Sequence, residues 1–496
     1  MTEETSGREQ EVLKARRESR SRLGDRAFAL SLEQALGVRE ADTTSSIRDA
    51  HAGLAADTVT EDRRTVAGRI VLKRDMGKLA FLVLRDRAGD LQLVCNPETD
   101  ADALALLPEV DLGDIVGATG RVGTTRKGEL SIFVERLAVL TKSLRPLPEK
   151  WHGLKDPDLQ QRQRYLHVAT DLEYRTLVDA RATALRAIRA YLDEHGFVEV
   201  ETPVLQGVAG GAMARPFVTH HEVLDIDLYL RISLELYLKR LLVGGLERVY
   251  EIGRNFRNEG IDRSHNPEFT MLELYQAYAD YETIMDITRD LVQRCALELN
   301  GSLEISFRGQ SIDLSGEWRR ITVLGSVSEV VGEEVTLDRP DLADLAEARG
   351  VPVDPNWPNG KIVLEIFEKL VEPHLAQPTF VCDYPRDVSP LARPHRDDPG
   401  LTEHVDPVIG GLEIGTGYSE LTDPDEQRAK FLLQQRAREA GDEETHPFDE
   451  DFLIALEHGM PPAGGLGLGI DRLLMVLTDS PSIRDLILFP HHRPEG

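Results

Sequence analysis

The sequence predicts an α+β protein that begins with a small β-barrel and continues into a larger domain of strands and helices. Two observations predict this class. Between Thr65 and Leu140, three strand-like segments, a short helix-like stretch and two more strand-like segments follow one another, which is the order of an OB barrel. Further along, Val249–Glu259 and Glu268–Tyr275 are strand-like segments joined by a turn-rich loop, which is typical of a hairpin.

The expected domain organisation has four parts. Prolines in Arg145–Trp151 indicate a linker. Strand-like patterns precede it, and a helix-like pattern follows it. The region around residues 309–372 resembles a helical insertion. The predicted segments are a charged helical extension at 1–62, the barrel at 63–145, the linker at 146–160 and the larger domain at 161–496.

Composition narrows the class of protein. With 41% hydrophobic and 29% charged residues, the chain has the balance of a globular protein. Its net charge of −28 argues against a protein that coats nucleic acid non-specifically. A local basic face is still open, and an ordinary solvated helix is the equal alternative. The cations concerned are Lys14, Arg16, Arg17, Arg20, Arg22 and Arg26.

The location is expected to be cytoplasmic. No run approaches the roughly 18 apolar residues that a membrane helix needs, so no membrane partner is expected. The charged N-terminus has no apolar stretch of the signal-peptide type. Cys95, Cys295 and Cys382 are scattered without metal-type spacing, which is typical of reduced thiols.

The hairpin carries an unusual set of side chains. Arg257 and Glu259 are two residues apart, so on a strand both would face the same side. On the second strand, one face would present Phe269, Met271, Glu273 and Tyr275. A surface hairpin is the alternative, but it explains aromatic residues on the polar face poorly.

Two glycine-rich segments follow. In Ile409–Glu420, strict alternation places Glu413 and Glu420 on opposite faces, unless a bulge at Gly415 or Gly417 brings them together. In Gly464–Arg472, a glycine strand runs into a helix, an arrangement that suits an anion. A packed structural strand is nearly as good an interpretation of that second segment.

Taken in order, these segments resemble the signature motifs of class II aminoacyl-tRNA synthetases, and most closely the bacterial lysyl branch. The resemblance extends from about Thr65 to Pro490. The segments that carry it are Phe197–Pro203, Ala214–His221, Glu235–Arg240, Phe256–Glu259, His265–Phe269, Met271–Tyr275, Gly467–Arg472 and Ile483–Pro490.

The resemblance implies a barrel that binds the anticodon, followed by an antiparallel active-site sheet flanked by helices. It also implies a homodimer that joins L-lysine to tRNA(Lys) with ATP and Mg²⁺. The catalytic residues would be Arg257 on the α-phosphate and the lysine carboxylate, Glu259 on the adenine amino group, and Arg472 on the outer phosphates. ATP would further meet His265, Asn266, Phe269 and Glu413, and the metal would meet Asp406 and Glu413.

For lysine, the resemblance assigns Glu273 and Glu420 to the ε-ammonium, because an ammonium on a long stem needs carboxylates at the end of its pocket. The other residues of that pocket would be Gly211, Glu235, Arg257, Tyr275, Thr416 and Tyr418. In the barrel, Arg69, Phe81 and Gln92 would contact the anticodon, with Phe81 as a core residue the alternative.

The chain departs from the family pattern at several positions. Ser233-Leu234 stands where Ala-Pro is usual, and Asp406 where Glu is commoner. The remaining departures are Thr416 for Asn, Tyr418 for Phe, and Arg136 at a position that is often acidic, with Glu135 beside it.

Two other functions are the alternatives to tRNA charging. One is a ligase that lysylates a protein, although such relatives lack the barrel. The other is a degenerate paralogue that binds nucleic acid or regulates, which the intact Arg257, Glu259, Glu413 and Arg472 argue against. The sequence does not distinguish a housekeeping enzyme from a second copy.

Overall fold

A computed structural model describes residues 7–148, 154, 156–439 and 446–493. Part of the predicted linker, residues 149–153 and 155, lies outside them, as do residues 1–6 of the predicted extension. The helices are α1 (Gly7–Leu23), α2 (Leu32–Leu36), α3 (Thr44–Ala50), α4 (Ala101–Leu106), α5 (Pro157–Arg162), α6 (Arg164–Thr170), α7 (Leu172–Glu194), α8 (Glu235–Val243), α9 (Tyr281–Asn300), α10 (Val323–Val331), α11 (Leu342–Ala348), α12 (Asn359–Leu370), α13 (Pro424–Glu439), α14 (Glu450–Glu457), α15 (Ile470–Leu477) and α16 (Ile483–Leu486). The strands are β1 (Val59–Met76), β2 (Leu79–Arg85), β3 (Asp90–Cys95), β4 (Ile115–Thr124), β5 (Leu130–Thr141), β6 (Val198–Glu199), β7 (Leu205–Gln206), β8 (Val218–His221), β9 (Ile226–Leu230), β10 (Arg248–Phe256), β11 (Glu268–Ala277), β12 (Glu304–Phe307), β13 (Gln310–Asp313), β14 (Arg319–Thr322), β15 (Thr379–Pro385), β16 (Leu401–Ile409), β17 (Leu412–Glu413), β18 (Gly415–Ser419) and β19 (Ala463–Gly469).

The first compact unit extends to Leu172 and contains a closed barrel. Its strands follow the order β1-β2-β3-β5-β4, with β1 paired to β4. In β2, buried Leu82 and Leu84 alternate with partly exposed Phe81 and Val83, as expected of a strand with one face on a core. The predicted OB barrel is confirmed, and β1 begins at Val59, earlier than the strand expected at Thr65.

The N-terminal cations do not form one free basic face. Arg16 is buried, and its guanidinium donates to the carbonyl oxygens of Leu112 (2.8 Å), Arg145 (2.9 Å) and Ser143 (3.0 Å). Arg22 pairs with Glu109 at 2.7 Å. These two residues therefore hold α1 against neighbouring segments of the first unit.

The second compact unit, Glu173–Arg493, is built on a large sheet. Its strand order is β14-β15-β16-β18-β19-β11-β10-β6, and β17 pairs with β16. The pairs from β15 to β10 are antiparallel, whereas the pairs β14–β15 and β10–β6 are parallel. The predicted α+β class with an antiparallel central sheet is confirmed.

Helices pack on this sheet through apolar stripes. Ile188 of α7, Leu291 of α9 and Leu474 of α15 lie in one core with Leu272 and Leu466 of the sheet. A second core contains residues of α10, α11 and α12, which belong to the region expected to be a helical insertion. The same region of the sequence also contains the short strands β13 and β14. Among the helices described, none has the length and apolarity required to cross a bilayer.

Candidate active site

The hairpin forms as predicted, with one correction. Strand β11 places Phe269, Met271, Glu273 and Tyr275 at alternate positions. Strand β10, however, ends at Phe256, so Arg257 and Glu259 lie in the loop that follows it. The interpretation that these two share the face of a strand was wrong; the loop brings both to one cavity instead.

That cavity, of about 320 Å³, lies at the centre of the sheet and is comparable in size with small-ligand pockets. The sequence-predicted residues that line it are Arg257, Glu259, His265, Asn266, Phe269, Glu413, Thr416 and Arg472. Residues from distant parts of the chain thus meet because β11, β18 and β19 are adjacent in the sheet. We call it the nucleotide cavity.

Arg257 stands over an aromatic ring in the nucleotide cavity. Its Cζ lies 5.1 Å from the centroid of the Phe269 ring. Burial lowers the pKa of Arg257, and the nearby carboxylate of Glu259 opposes that effect. Among the described residues, Arg257 Nε and Asn266 Oδ1 are buried atoms without a hydrogen-bond partner. Unpaired buried polar atoms of this kind favour a bound ligand that completes them.

Arg472 occupies the first turn of α15, as the glycine-rich segment predicted. Its Nη2 lies 2.9 Å from His265 Nε2, and its Nη1 donates to the Glu413 carbonyl at 2.9 Å. Because Nε2 of His265 then accepts, its Nδ1 donates to Asp262, 2.8 Å away. The cation and the imidazole are therefore oriented together at the wall of the cavity.

Asp406 and Glu413 belong to adjacent strands, β16 and β17. Asp406 Oδ1 lies 2.9 Å from His404 Nε2. Burial by itself would raise the pKa of Asp406, but His404 and neighbouring hydroxyl groups hold that pKa below its usual value. Burial raises the pKa of Glu413, although Arg472 opposes it. Within the described part of the chain, no three His, Cys, Asp or Glu side chains form a group that could hold a metal on their own.

Glu413 and Glu420 do not meet. The chain leaves β17 after Glu413 and enters β18 at Gly415, so the strand is interrupted at Ile414. No bulge at Gly415 or Gly417 brings the two carboxylates together, which corrects that expectation. Glu413 contacts Arg472, whereas Glu420 pairs with Lys239.

One buried set contains Glu273 and Glu420, predicted for the ε-ammonium of lysine, and Glu235, predicted for its α-amino end. Lys239, which was not among the predicted site residues, completes the set. Lys239 Nζ lies 2.5 Å from Glu235 Oε1 and also contacts Glu420 Oε2. Burial raises the pKa of Glu273 to about 7 and that of Glu420 to about 8. Burial opposes the charge on Lys239, but the two carboxylates keep its pKa above the ordinary value. We call this set the buried charge group.

The other predicted lysine residues surround this group. Tyr275 Oη donates to Glu273 Oε2 at 3.3 Å. The amide of Gly211 donates to His446 Nε2 at 2.6 Å, and burial lowers the pKa of His446 to about 4, so the imidazole is the neutral acceptor. Tyr418 packs edge-on against His404, with ring centroids 4.6 Å apart.

Strand β19 lets neighbouring side chains approach the sheet. A Cβ on Gly465 would overlap the Glu420 carboxylate and the Tyr275 ring. A Cβ on Gly467 would come within 3.0 Å of Met271 Cε. The glycines therefore leave the space that the charge group and the cavity occupy.

Sequence analysis missed several residues of the site. Lys239 follows Glu235 by four positions, which is the spacing of a helical ion pair and was the available signal. Ser233 and Asn255 contact Glu273 on another element, and no local pattern points to them. His404 lies two positions before Asp406 on β16, and this same-face spacing was the available signal for it.

In the barrel, Arg69, Phe81 and Gln92 lie on β1, β2 and β3. All three are partly exposed, and Phe81 is not among the buried residues of the barrel core. Gln92 Nε2 donates to Ser131 Oγ at 2.9 Å, and Arg69 Nη1 to the Gly113 carbonyl at 2.8 Å. Cross-strand pairing places the three on the outer surface, opposite in sense to Leu82 and Leu93.

Comparison with known families agrees with both units. The model of class II tRNA synthetases (D, K and N) matches residues 156–493, and that of the OB-fold nucleic acid binding domain matches residues 65–140. The first match spans more than half of the chain. The chain belongs to the class II tRNA synthetases of the D, K and N group.

Relatives of this chain narrow the comparison. A lysine–tRNA ligase of Moorella thermoacetica is 53% identical over 435 residues, covering 87% of this chain and 88% of the relative. A lysine–tRNA ligase of Thermosynechococcus vestitus is 50% identical over 467 residues, covering 92% of each. One from Carboxydothermus hydrogenoformans is 51% identical over 432 residues, covering 86% of this chain and 88% of the relative.

Proposed function

We propose that this protein activates L-lysine with ATP and transfers it to the 3′ end of tRNA(Lys). A carboxylate oxygen of lysine attacks the α-phosphorus, and the bond to pyrophosphate breaks. A ribose hydroxyl of the tRNA then attacks the lysyl carbonyl carbon, and AMP leaves. The observation that carries the proposal is the buried charge group, whose three carboxylates exceed its one ammonium and favour a cationic side chain.

The nucleotide cavity is assigned to ATP. Arg257 neutralises the α-phosphate and orients the lysine carboxylate, and Phe269 stacks on the adenine ring. Glu259 accepts from the adenine amino group, and Asn266 contacts the same nucleotide. Arg472 and His265 bind the outer phosphates. Phosphoryl chemistry of this kind depends on positioning and charge neutralisation rather than on a covalent residue.

Asp406 and Glu413 fit a Mg²⁺ ion, because their donors are carboxylate oxygens and Glu413 lines both the nucleotide cavity and a second pocket that Asp406 also lines. Asp406 is buried, whereas the Glu413 side chain is partly exposed. Magnesium at nucleotide sites takes one or two carboxylates and completes its shell with phosphate oxygens and water. When bound, the ion neutralises phosphate charge. The role of these two side chains is to hold it while Arg472 keeps Glu413 in place.

Lysine selection is assigned to the buried charge group with Tyr275, Tyr418 and Thr416. Glu273 and Glu420 bind the ε-ammonium, and Glu235 and Gly211 meet the α-amino end. A ligase for aspartate or asparagine would place a cation or an amide where these carboxylates stand. Arg69, Phe81 and Gln92 are assigned to the anticodon, since stacking and hydrogen bonding to splayed bases need an exposed strand surface.

A homodimer is part of the proposal. Large apolar side chains are exposed throughout residues 198–226, which is a typical property of a subunit interface. They are Val198, Val204, Leu205, Val208, Met213, Val218, Val223, Leu224 and Ile226. Light scattering should give twice the mass of one chain. We assign the protein to the cytoplasm, where tRNA charging takes place and where three free cysteines stay reduced.

The test is ATP–pyrophosphate exchange with each of the standard amino acids, with and without tRNA. We expect exchange that depends on L-lysine and Mg²⁺, followed by transfer to tRNA. Faster exchange with aspartate or asparagine would overturn the assignment. Absence of exchange with every amino acid would favour a degenerate paralogue, and transfer to a protein instead of tRNA would favour a protein-modifying ligase.

A further inference from the structure

Glu273 is held by donors that come from a short segment before α8. Its Oε1 accepts from Ser233 Oγ at 2.9 Å and from the Leu234 amide at 2.9 Å. Asn255 Nδ2 is more distant, at 3.5 Å. The second carboxylate oxygen, Glu273 Oε2, lies 3.2 Å from Ser233 Oγ and 3.3 Å from Tyr275 Oη. The carboxylate is therefore anchored mainly through one oxygen, and the other keeps acceptor capacity for a ligand.

The hydroxyl of Ser233 is oriented by its own partner. The Glu235 amide donates to Ser233 Oγ at 3.1 Å, so the hydroxyl hydrogen is left to point toward Glu273. These hydrogen bonds lie among buried residues, namely Ser233, Leu234 and Glu273. Loss of one of them is costly in free energy, because no water takes the place of the missing donor. An alanine at 233 has no hydroxyl and a proline at 234 has no amide hydrogen, so that pair would supply neither donor.

We propose that Ser233 and the Leu234 amide are positioning groups that hold the Glu273 carboxylate in its ionised form for the ε-ammonium of lysine, and that they thereby set the affinity for the amino acid. The proposal rests on the proposed function, in which Glu273 faces that ammonium. Neither group touches the reacting atoms. Their action is on the charge and direction of Glu273.

The electrostatic surroundings agree with this role. Burial raises the pKa of Glu273 to about 7, and the hydrogen bonds from Leu234 and Ser233 act against that effect. Without the two donors, a larger share of Glu273 would be protonated at neutral pH. The other charged and titratable groups that face it are Glu235 of α8, Arg257 after β10, Tyr275 of β11 and Glu420 after β18.

The test is the pH dependence of kcat/KM for lysine in ATP–pyrophosphate exchange, with Ser233→Ala and wild type. We expect Ser233→Ala to raise the KM for lysine about fivefold near pH 7, since a hydrogen bond to the charged form is lost and less of Glu273 is ionised. The pKa of the acidic limb of the profile should rise by roughly one unit. At pH 9, where Glu273 is ionised in both proteins, the two KM values should converge. The KM for ATP should stay unchanged throughout.

Ser326→Ala is the matched control, because Ser326 is buried and donates only within its own helix, to the Val323 carbonyl. Superimposable pH profiles for Ser233→Ala and wild type would overturn the proposal, as would a loss that is equal at every pH. If Ser233→Ala does not fold, Ser233→Cys keeps the volume with a weaker donor and should shift the profile in the same direction. Glu273→Gln distinguishes failure of the proposed function from failure of the positioning role. If Glu273→Gln leaves the KM for lysine unchanged, the proposed function fails. If Glu273→Gln has a large effect and Ser233→Ala has none, only the positioning role of Ser233 is overturned.

Discussion

Three carboxylates and one ammonium are buried together around Lys239. If all were ionised, the buried charge group would carry two uncompensated negative charges, a costly arrangement away from water. The raised pKa values of Glu273 and Glu420 are the response to that cost in the free protein. A cationic ligand would remove that cost, which is the physical basis of the proposed selection of lysine by this group.

Glu273→Gln tests this selection most directly. The change keeps volume and hydrogen bonding but removes one negative charge. Loss of a desolvated charge pair costs about 2–5 kcal/mol, so we expect the KM for lysine to rise roughly 30- to several-thousand-fold with little change in the KM for ATP. Exchange kinetics measure both, with exposed Glu298→Gln as the control. A lysine KM within about twofold of wild type, together with a raised KM for ATP, would contradict the assignment.

The same variant should have the opposite effect on stability. Because the pKa of Glu273 is about 7 in the folded protein against an ordinary 4.5, the folded state binds the proton more tightly. Its contribution to the free energy of unfolding is therefore present below pH 4.5 and is lost as the pH rises toward 7. Glu273→Gln lacks this loss, which is on the order of 3 kcal/mol. Urea unfolding of both ligand-free proteins at pH 5 and pH 8 measures it, and an equal loss in both would refute the expectation.

Lys239 shows where residue-level prediction stops. Its spacing from Glu235 was visible, but i,i+4 ion pairs are common on exposed helix faces and give no reason to bury a lysine. The partner that explains its burial, Glu420, follows β18 and is 181 positions later in the chain. Ser233 was noticed only as a departure from a family pattern, since its bond to Glu273 depends on how α8 approaches β11.

At the scale of elements, strand β19 controls the space available to the site. Gly465 pairs with Tyr275 on one side and with Tyr418 on the other. It therefore lies between β11 and β18, the two strands that carry residues assigned to the lysine substrate. The glycine-rich segment Gly464–Arg472 predicted a close approach of the backbone to a ligand. In the structure the close approach is by the protein's own carboxylate and phenol ring.

Gly465→Ala should therefore damage the site by overpacking. The added methyl group overlaps Glu420 and Tyr275, and we expect a loss of about 1–3 kcal/mol in the free energy of unfolding together with a raised KM for lysine. Denaturant unfolding and exchange kinetics are the measurements. Gly207→Ala is the control, because its Cβ would meet no atom within 4 Å. Equal stability of Gly465→Ala and wild type would show that this part of the sheet tolerates the methyl group.

Element boundaries account for both corrections to the site. Period-two reasoning carries a strand forward until Gly or Pro appears, and Phe256-Arg257-Asn258-Glu259 contains neither. Asn258 was the only turn-favouring residue there, and its signal was passed over. The interruption at Ile414 was hidden among glycines that also permit a bulge. In each case the tertiary position of the loop decides which side chains meet.

For the whole molecule, the order of elements favoured the barrel, whereas the resemblance to class II synthetases implied the antiparallel sheet. The barrel follows from five strand segments and one helix, and the central sheet follows from motifs in a fixed order. The strand order β18-β19-β11-β10 was not readable from local patterns, because it joins segments about 200 residues apart. That order brings Arg472 and Glu413 to Arg257.

The two units should have separable contributions to activity. Phe81→Ala removes a stacking surface worth about 1–3 kcal/mol per base, so we expect the KM for tRNA(Lys) to rise roughly 5- to 150-fold. Lysine-dependent exchange without tRNA should be unchanged. Leu30→Ala, at a side chain that is 88% exposed in the first unit, is the control. If Phe81→Ala charged tRNA as wild type does, the assignment of the barrel surface to the anticodon would be wrong.

The protons held by Glu273 and Glu420 in the buried charge group affect the heat that is measured when a ligand binds. With pKa values of about 7 and 8, Glu273 and Glu420 are partly protonated near neutral pH in the free protein. An ammonium bound there favours their ionised forms, so under the proposed assignment we expect each lysine that binds to release acid into solution. The heat of binding accordingly includes the heat with which the surrounding buffer takes up that acid. The heats of binding measured in phosphate and in Tris should differ by the number of protons released multiplied by the difference between the ionisation enthalpies of the two buffers. Binding of lysine is in this sense an exchange of one cation for another between the pocket and the solvent.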